Sequence, residues 1–160
     1  STLYDVSHNI AKIEDHVVHG KNCTCAVHRK GATRAFSGDQ QELHATFATT
    51  GQPVVVPGDM GRGSWLMAGP YSNQNQAFGS ACHGAGRALS RTAARNQINA
   101  EAKENELRDK GIIVQAASKN ILSEEAPEAY KNVDRVIENT AKANLARPVL
   151  RVEPMAVIKG

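Results

Sequence analysis

Val6, Ile10, Ile13 and Val17 recur at spacings of four, three and four, with Asn9, Lys12, His16 and His19 on another face. That period predicts an amphipathic helix over residues 5–19, ended by Gly20. Residues 26–36, AVHRKGATRAF, have β-like ends around Gly31, and VVVP at 54–57 reads as a short buried strand running into a glycine-rich loop. SWLMAG at 64–69 predicts a second strand, and the Ala, Leu and Arg content of 84–97 a helix starting at Gly84-Ala85-Gly86. Further on, 101–110 reads as a polar helix stopped by Gly111, GIIVQAAS as a strand, and Ser123-Glu124-Glu125 before Pro127 as a helix start. Val133, Ile137 and Ala141 share one side of a helical run around 131–144, and RPVLRVEPMAVIKG has strand character broken by prolines. Helices and strands mix without regular alternation. The fold class is therefore α+β, with mixed or antiparallel sheets flanked by helices.

No repeat or low-complexity linker interrupts the chain, and 160 residues at 41% hydrophobic content suit a single domain over 1–160 with a sizeable core. No apolar run approaches the roughly 20 residues that cross a bilayer, and STLYDVSHN lacks a charged segment followed by an apolar one. Neither export nor a membrane partner is expected. Three cysteines, an odd and small set, argue against a disulfide framework and point to a reducing, cytoplasmic setting.

Net charge is +3, and residues 101–160 balance ten acids with ten bases, so the excess lies in the first hundred residues. No acid occurs between Asp59 and Glu101, a stretch that holds Arg87, Arg91 and Arg95. Such a stretch attracts anions, unless it is merely a solvated helix face.

His83-Gly84-Ala85-Gly86-Arg87 is the sharpest chemical signal. Small neighbours let a bulky substrate reach the imidazole, and backbone amides at a helix start, with Arg87, would stabilise charge on a phosphoryl group. A neutral histidine attacking phosphorus forms a phosphoramidate and splits one transfer into two steps. Arg87, Arg91 and Arg95 at i, i+4 and i+8 would line one side of the helix as a ridge for a polyphosphate or an RNA backbone. The alternative is a capping histidine on a surface helix.

Other groups carry less by themselves. Pro57-Gly58-Asp59-Met60-Gly61 lets backbone N–H groups approach an anion, but it lacks the Lys-Ser/Thr pair of a P-loop and also reads as a plain turn. His8 offers one nitrogen to a metal, where a site needs several converging ligands. Cys23, Cys25 and His28 suggest zinc without the second ligand pair that a structural zinc site has.

Taken together, YDVSHNIAKIE (4–14), VHRKGATRAF (27–36), PVVVPGDMGRGSWLMAG (53–69), ACHGAGRALSR (81–91), EEAPEAYKNVDRV (124–136) and VIKG (157–160) resemble the RtcB-type RNA-splicing ligases, in that family's order along nearly the whole chain. The resemblance implies a ligase that uses GTP and manganese to join RNA 3′-phosphate or 2′,3′-cyclic phosphate ends to 5′-hydroxyl ends, as in tRNA splicing and RNA repair. It makes His83 the guanylylated nucleophile and His8 a manganese ligand, with Asn9 a nucleotide contact. Pro57, Gly58, Asp59, Met60 and Ser64 match the loop that holds the guanine nucleotide, and Gly84, Ala85 and Gly86 follow the nucleophile. Asp59 would accept hydrogen bonds from guanine N–H groups or ribose hydroxyls. Tyr130 is similar to the tyrosine that covers the guanine ring and Lys159 to the lysine that reads its edge, while Arg87 and Arg91 would face the RNA or its terminal phosphate.

Members of that family are considerably longer, and their aspartate, cysteine and further histidine metal ligands precede the SHN motif. The expectation is therefore the C-terminal portion of a ligase catalytic domain, partnered by the remainder of the polypeptide or by a second copy of the chain. The implied partners are RNA ends, such as tRNA halves, and a guanine nucleotide. A module that binds guanine nucleotide or RNA without turnover is the other functional class the residues allow.

Overall fold

The computed structural model describes the chain except residues 1, 3, 6, 8, 41 and 73–76, so the expectations for Val6 and His8 lie outside the described residues. In chain order the first strands are β1 (Asn9–Val18), β2 (Lys21–Lys30), β3 (Ala32–Arg34), β4 (Pro53–Asp59), β5 (Gly63–Ala68) and β6 (Ser80–Cys82). Then follow α1 (Arg91–Gln97), α2 (Ala100–Asp109), β7 (Ile113–Ala116), α3 (Lys119–Glu124), α4 (Val133–Lys142), β8 (Arg147–Val152) and β9 (Ala156–Lys159). Small sheets and helices mix as an α+β chain should, and among the described residues no helix is long and apolar enough to cross a membrane.

The chain divides into two compact units, each drawn from separate stretches of sequence. One comprises Ser1–Val55, Leu66–His83 and Asn139–Val149; the other comprises Val56–Trp65, Gly84–Glu138 and Leu150–Gly160. Strands β4, β5 and β8 form a sheet in the order β4-β5-β8. The interleaving of the two units along the chain is why no linker is visible in the sequence.

In the first unit β1 and β2 form an antiparallel hairpin with Ile13 opposite Ala26 and Val18 opposite Lys21. The expected helix over 5–19 is wrong. His19 and Gly20 both have positive φ, 49° and 76°, the two-residue turn that matches strand twist. β-Branched Ile10, Ile13, Val17 and Val18 suit a pleated surface, and side chains alternate about the strand, so Ile13 and Val17 stand 72% and 70% exposed. The inner face instead carries Glu14, which a hydrophobic period cannot register. Arg29 grips it with Nη1 to Oε1 at 2.8 Å and Nη2 to Oε2 at 2.7 Å, while His16 Nε2 lies 3.0 Å from Oε2. Burial pushes the Glu14 pKa up, but the Arg29 and His16 hydrogen bonds and the charges of Arg29 and Arg34 outweigh it and hold it below the ordinary carboxylate range. Arg29 also donates to Ser80 Oγ and Phe78 O, tying the hairpin to β6, which pairs antiparallel with β3.

The second unit is built around Met60, Leu107, Ile112, Leu122, Ala126 and Val157, buried side chains worth roughly 1.5–3 kcal/mol each for the larger ones. β7 and β9 pair in parallel beside this cluster, with Ala116 opposite Lys159. Helix α2 ends as expected, with Gly111 at φ 77°. Two helix starts differ from expectation. Helix α1 begins only after Ser90, whose hydroxyl accepts from the N–H of Ala93, and Ser123 lies in the last turn of α3, donating to Ile98 O, after a start capped by Ser118. Pro127 opens a short 3₁₀ turn, Pro127–Ala129, rather than a helix.

Candidate functional site

The His83 end of the first unit is set by strand register. Ala32 pairs with Cys82, which brings Gly31 beside His83: a Cβ on Gly31 would lie 3.9 Å from His83 Cδ2 and 4.0 Å from Nε2. The imidazole is half-buried. Asn9 pairs with Lys30 at the same end of the hairpin, and its Oδ1 is 3.0 Å from His28 Nε2. His28 thus belongs with Asn9. Strand alternation turns Cys23 and Cys25 to the opposite side, so the suggested zinc set does not assemble. All three cysteines are free, and Cys82 Sγ lies 3.3 Å from Thr140 Oγ1. His8 is outside the described residues, and among the described residues no three His, Cys, Asp or Glu side chains form a group that could hold a metal ion.

In the second unit the 57–64 loop and the Gly84-Ala85-Gly86 stretch meet directly. Ala85 N donates to Pro57 O at 3.0 Å, and a Cβ on Gly84 would lie 3.4 Å from that oxygen. Gly58 has no room for a side chain: its Cβ would fall 2.0 Å from Gly63 O and 3.0 Å from Val133 Cβ. Ser64 Oγ accepts from Gly58 N at 3.3 Å, closing the loop on itself. The Asp59 side chain has no exposed surface. Its Oδ1 accepts from the N–H groups of Gly61 and Arg62 at 3.0 and 2.9 Å, and its Oδ2, which has no hydrogen-bond partner, faces Arg62 Nε at 3.3 Å. Met60 points into the core. Asp59 and Met60 therefore shape this loop from behind.

Gly86 has φ 74°, and the chain does not turn helical until Arg91. Ala88 N donates to Ala129 O and Lys131 N to Gly86 O, an antiparallel bridge that sets Arg87 opposite Tyr130. The guanidinium of Arg87 lies 4.9 Å from the Tyr130 ring centroid. Its donors reach Leu89 O, Glu124 O, Tyr130 Oη and Glu125 Oε1, at 3.0, 2.5, 3.2 and 3.2 Å. Tyr130 in turn donates to Glu125 Oε2 at 2.5 Å, and Lys159 Nζ lies 3.5 Å from the same oxygen. Burial acts to raise the Glu125 pKa, yet the Tyr130 hydrogen bond and the charges of Lys159 and Arg87 prevail and hold it low. Burial and the Glu125 contact push the Tyr130 phenol up.

The arginine ridge does not form, because Arg87 precedes the helix. Arg91 and Arg95 do lie on α1, where they approach Glu124 at 3.7 and 3.3 Å, and Arg91 remains 71% exposed. Sequence reasoning missed Glu124 and Glu125 by assigning them to a helix start. The available signal was charge: the acid-free stretch with its arginines needs carboxylates from elsewhere, and EEAPEAY supplies a pair six and five residues ahead of Tyr130.

The family model described as tRNA-splicing ligase RtcB matches residues 1–160. The tRNA-splicing ligase RtcB of Thermococcus kodakarensis is 49% identical over 158 residues, 99% of this chain and 33% of that protein. Proteins of the same name from Pyrococcus abyssi and Pyrobaculum aerophilum are 48% and 47% identical, the match covering 100% and 99% of this chain but 18% and 33% of theirs. The chain thus spans a third or less of the length of these relatives. With every residue of the chain inside that match, it belongs to the tRNA-splicing ligase RtcB family.

Proposed function

We propose that this chain is the histidine-guanylylating portion of an RNA ligase that joins a 3′-phosphate or 2′,3′-cyclic phosphate end to a 5′-hydroxyl end with GTP, in tRNA splicing and RNA repair in the cytoplasm. The observation that carries the reading is the convergence of Arg87, Tyr130 and Lys159, far apart in sequence, on the one carboxylate of Glu125 in a chain of this family. A neutral nitrogen of His83 attacks the α-phosphorus of GTP; an N–P bond forms and the P–O bond to the leaving pyrophosphate breaks. The 3′-phosphate of one RNA, a cyclic end having first been opened by water, then takes the GMP as the His83 N–P bond breaks, and the 5′-hydroxyl of the other RNA attacks the activated phosphate, giving up its proton as the bond to GMP breaks. Asn9, the backbone of Pro57 and Gly58, Ser64, and the Gly84-Ala85-Gly86 stretch hold the nucleotide, with Asp59 and Met60 fixing the loop. Tyr130 stacks on the guanine, Lys159 reads its edge, and Arg91 faces the RNA, with Arg87 held closer to Tyr130.

The described residues alone do not fit a manganese site. His8 would be one ligand among several drawn from elsewhere in the polypeptide. That shortfall favours a second reading for the isolated chain, in which it binds guanine nucleotide without turnover. Intact-mass measurement after incubation with GTP and manganese separates the two. A covalent GMP adduct that His83→Ala abolishes supports the ligase reading; bound but unlinked nucleotide supports the binding module.

A further inference from the structure

We infer that Glu125 is a positioning residue for guanine recognition: through one carboxylate it fixes Tyr130, Arg87 and Lys159, so that it governs base preference without touching the base. The inference rests on the reading of Tyr130 and Lys159 as nucleotide contacts.

Three elements bring these groups together. The Gly86–Lys131 and Ala88–Ala129 backbone bonds place Arg87 opposite Tyr130, the parallel pairing of β7 with β9 delivers Lys159, and Glu125 sits at the end of α3. None of these backbone constraints fixes where the three long side chains end. Glu125 does so. Its Oε1 takes Arg87 Nη1 at 3.2 Å, and its Oε2 takes both the Tyr130 phenol at 2.5 Å and the Lys159 ammonium at 3.5 Å. The phenol is thereby held at both lone-pair and proton sides, since it accepts from Arg87 while donating to Glu125. A ring fixed this way presents a defined face, and a lysine tethered beside it can discriminate base edges only while the tether holds. An isosteric glutamine keeps an acceptor for the phenol but loses the charge that holds Arg87 and Lys159; alanine loses both.

The test measures equilibrium binding of GTP and of ATP to the 160-residue chain in a His83→Ala background, which cannot form the covalent adduct, with Glu125 retained (the wild type of this comparison) or replaced as Glu125→Gln or Glu125→Ala, each checked for fold by circular dichroism. A Tyr4→Phe/Tyr71→Phe background isolates the Tyr130 ionisation in a parallel absorbance titration. The inference expects the GTP-over-ATP ratio to fall about tenfold in Glu125→Gln and further in Glu125→Ala, and the Tyr130 ionisation to move down toward its ordinary value in Glu125→Gln. An unchanged ratio in a folded Glu125→Gln overturns the inference while leaving the guanine reading intact. If wild type prefers neither nucleotide, the guanine reading fails and the inference falls with it. Should Glu125→Ala fail to fold, the glutamine variant decides alone.

Discussion

The Tyr130 phenol oxygen and Glu125 Oε2 lie 2.5 Å apart, with the proton donated by Tyr130. Each group shifts the other. Glu125 is held below the ordinary carboxylate range, so its contribution to stability is complete above about pH 4.5 and is lost as pH falls through its folded value. The Tyr130 phenol is raised, so its contribution is complete below about pH 10 and is lost as pH rises through its folded value. Melting temperature measured from pH 3 to pH 11 should therefore show a wild-type advantage over Glu125→Gln that is greatest near neutrality and narrows on both flanks. An advantage of constant size across that range would refute the coupling.

Glu14 and Arg29 form a bidentate pair on the inner face of the hairpin, both side chains almost wholly buried. Removing one partner leaves a buried charge uncompensated. Glu14→Leu and Arg29→Met should each cost about 3–5 kcal/mol in chemical denaturation. The double variant Glu14→Leu/Arg29→Met removes both charges together and should recover at least about half of the summed loss, a non-additivity expected of directly contacting residues.

Two glycines of the proposed nucleotide-holding segments should behave differently. A Cβ at Gly58 would collide with the backbone oxygen of Gly63, which no side-chain rotation can relieve. Gly58→Ala should therefore cost about 3 kcal/mol or more, with loss of any nucleotide binding. At Gly86 a Cβ meets nothing within 4 Å, and the penalty is only that of placing alanine at φ 74°, about 1–2 kcal/mol. Urea unfolding of the two variants checks the order. Equal losses would mean that the loop deforms to admit the methyl group.

The α+β class, the strands at 54–57 and 64–69, the polar helix stopped by Gly111 and the helix carrying Val133 and Ile137 were legible because each is stated by local signals: β-branched runs, a terminal glycine, a clean period. The hairpin was misread for a physical reason. Ile10, Ile13 and Val17 mimic a helical period, while the residue that fixes the inward face, Glu14, is buried only because Arg29 lies across the sheet, and that pairing is non-local. The start of α1 was misplaced for a similar reason, since Gly86 to Leu89 pair with residues 129–131 instead of winding into a helix. His83 stands out as a candidate by its small neighbours, and Tyr130 by the family resemblance alone. The carboxylate that gathers three side chains could not be read in either way, because its meaning appears only once residues 87, 125, 130 and 159 share one place.

Arg87 and Arg91, equivalent in sequence as members of one basic stretch, should separate in their effects. Arg87 satisfies two main-chain carbonyls, Glu125 and the Tyr130 hydroxyl from a half-buried position. Arg87→Ala leaves the two carbonyls without this donor and takes one of three partners from Glu125, and should destabilise the chain by about 2–4 kcal/mol. Arg91 is largely exposed and meets Glu124 only at 3.7 Å, so Arg91→Ala should change stability by no more than about 0.5 kcal/mol. Its effect belongs in RNA binding: if Arg91 meets a phosphate, the slope of log affinity against log salt for a single-stranded RNA should fall in magnitude by about 0.7 on its removal. Fluorescence anisotropy with a labelled RNA across a salt series, beside thermal melts of both variants, reads the two effects separately. A salt slope unmoved by Arg91→Ala would remove that residue from the RNA path.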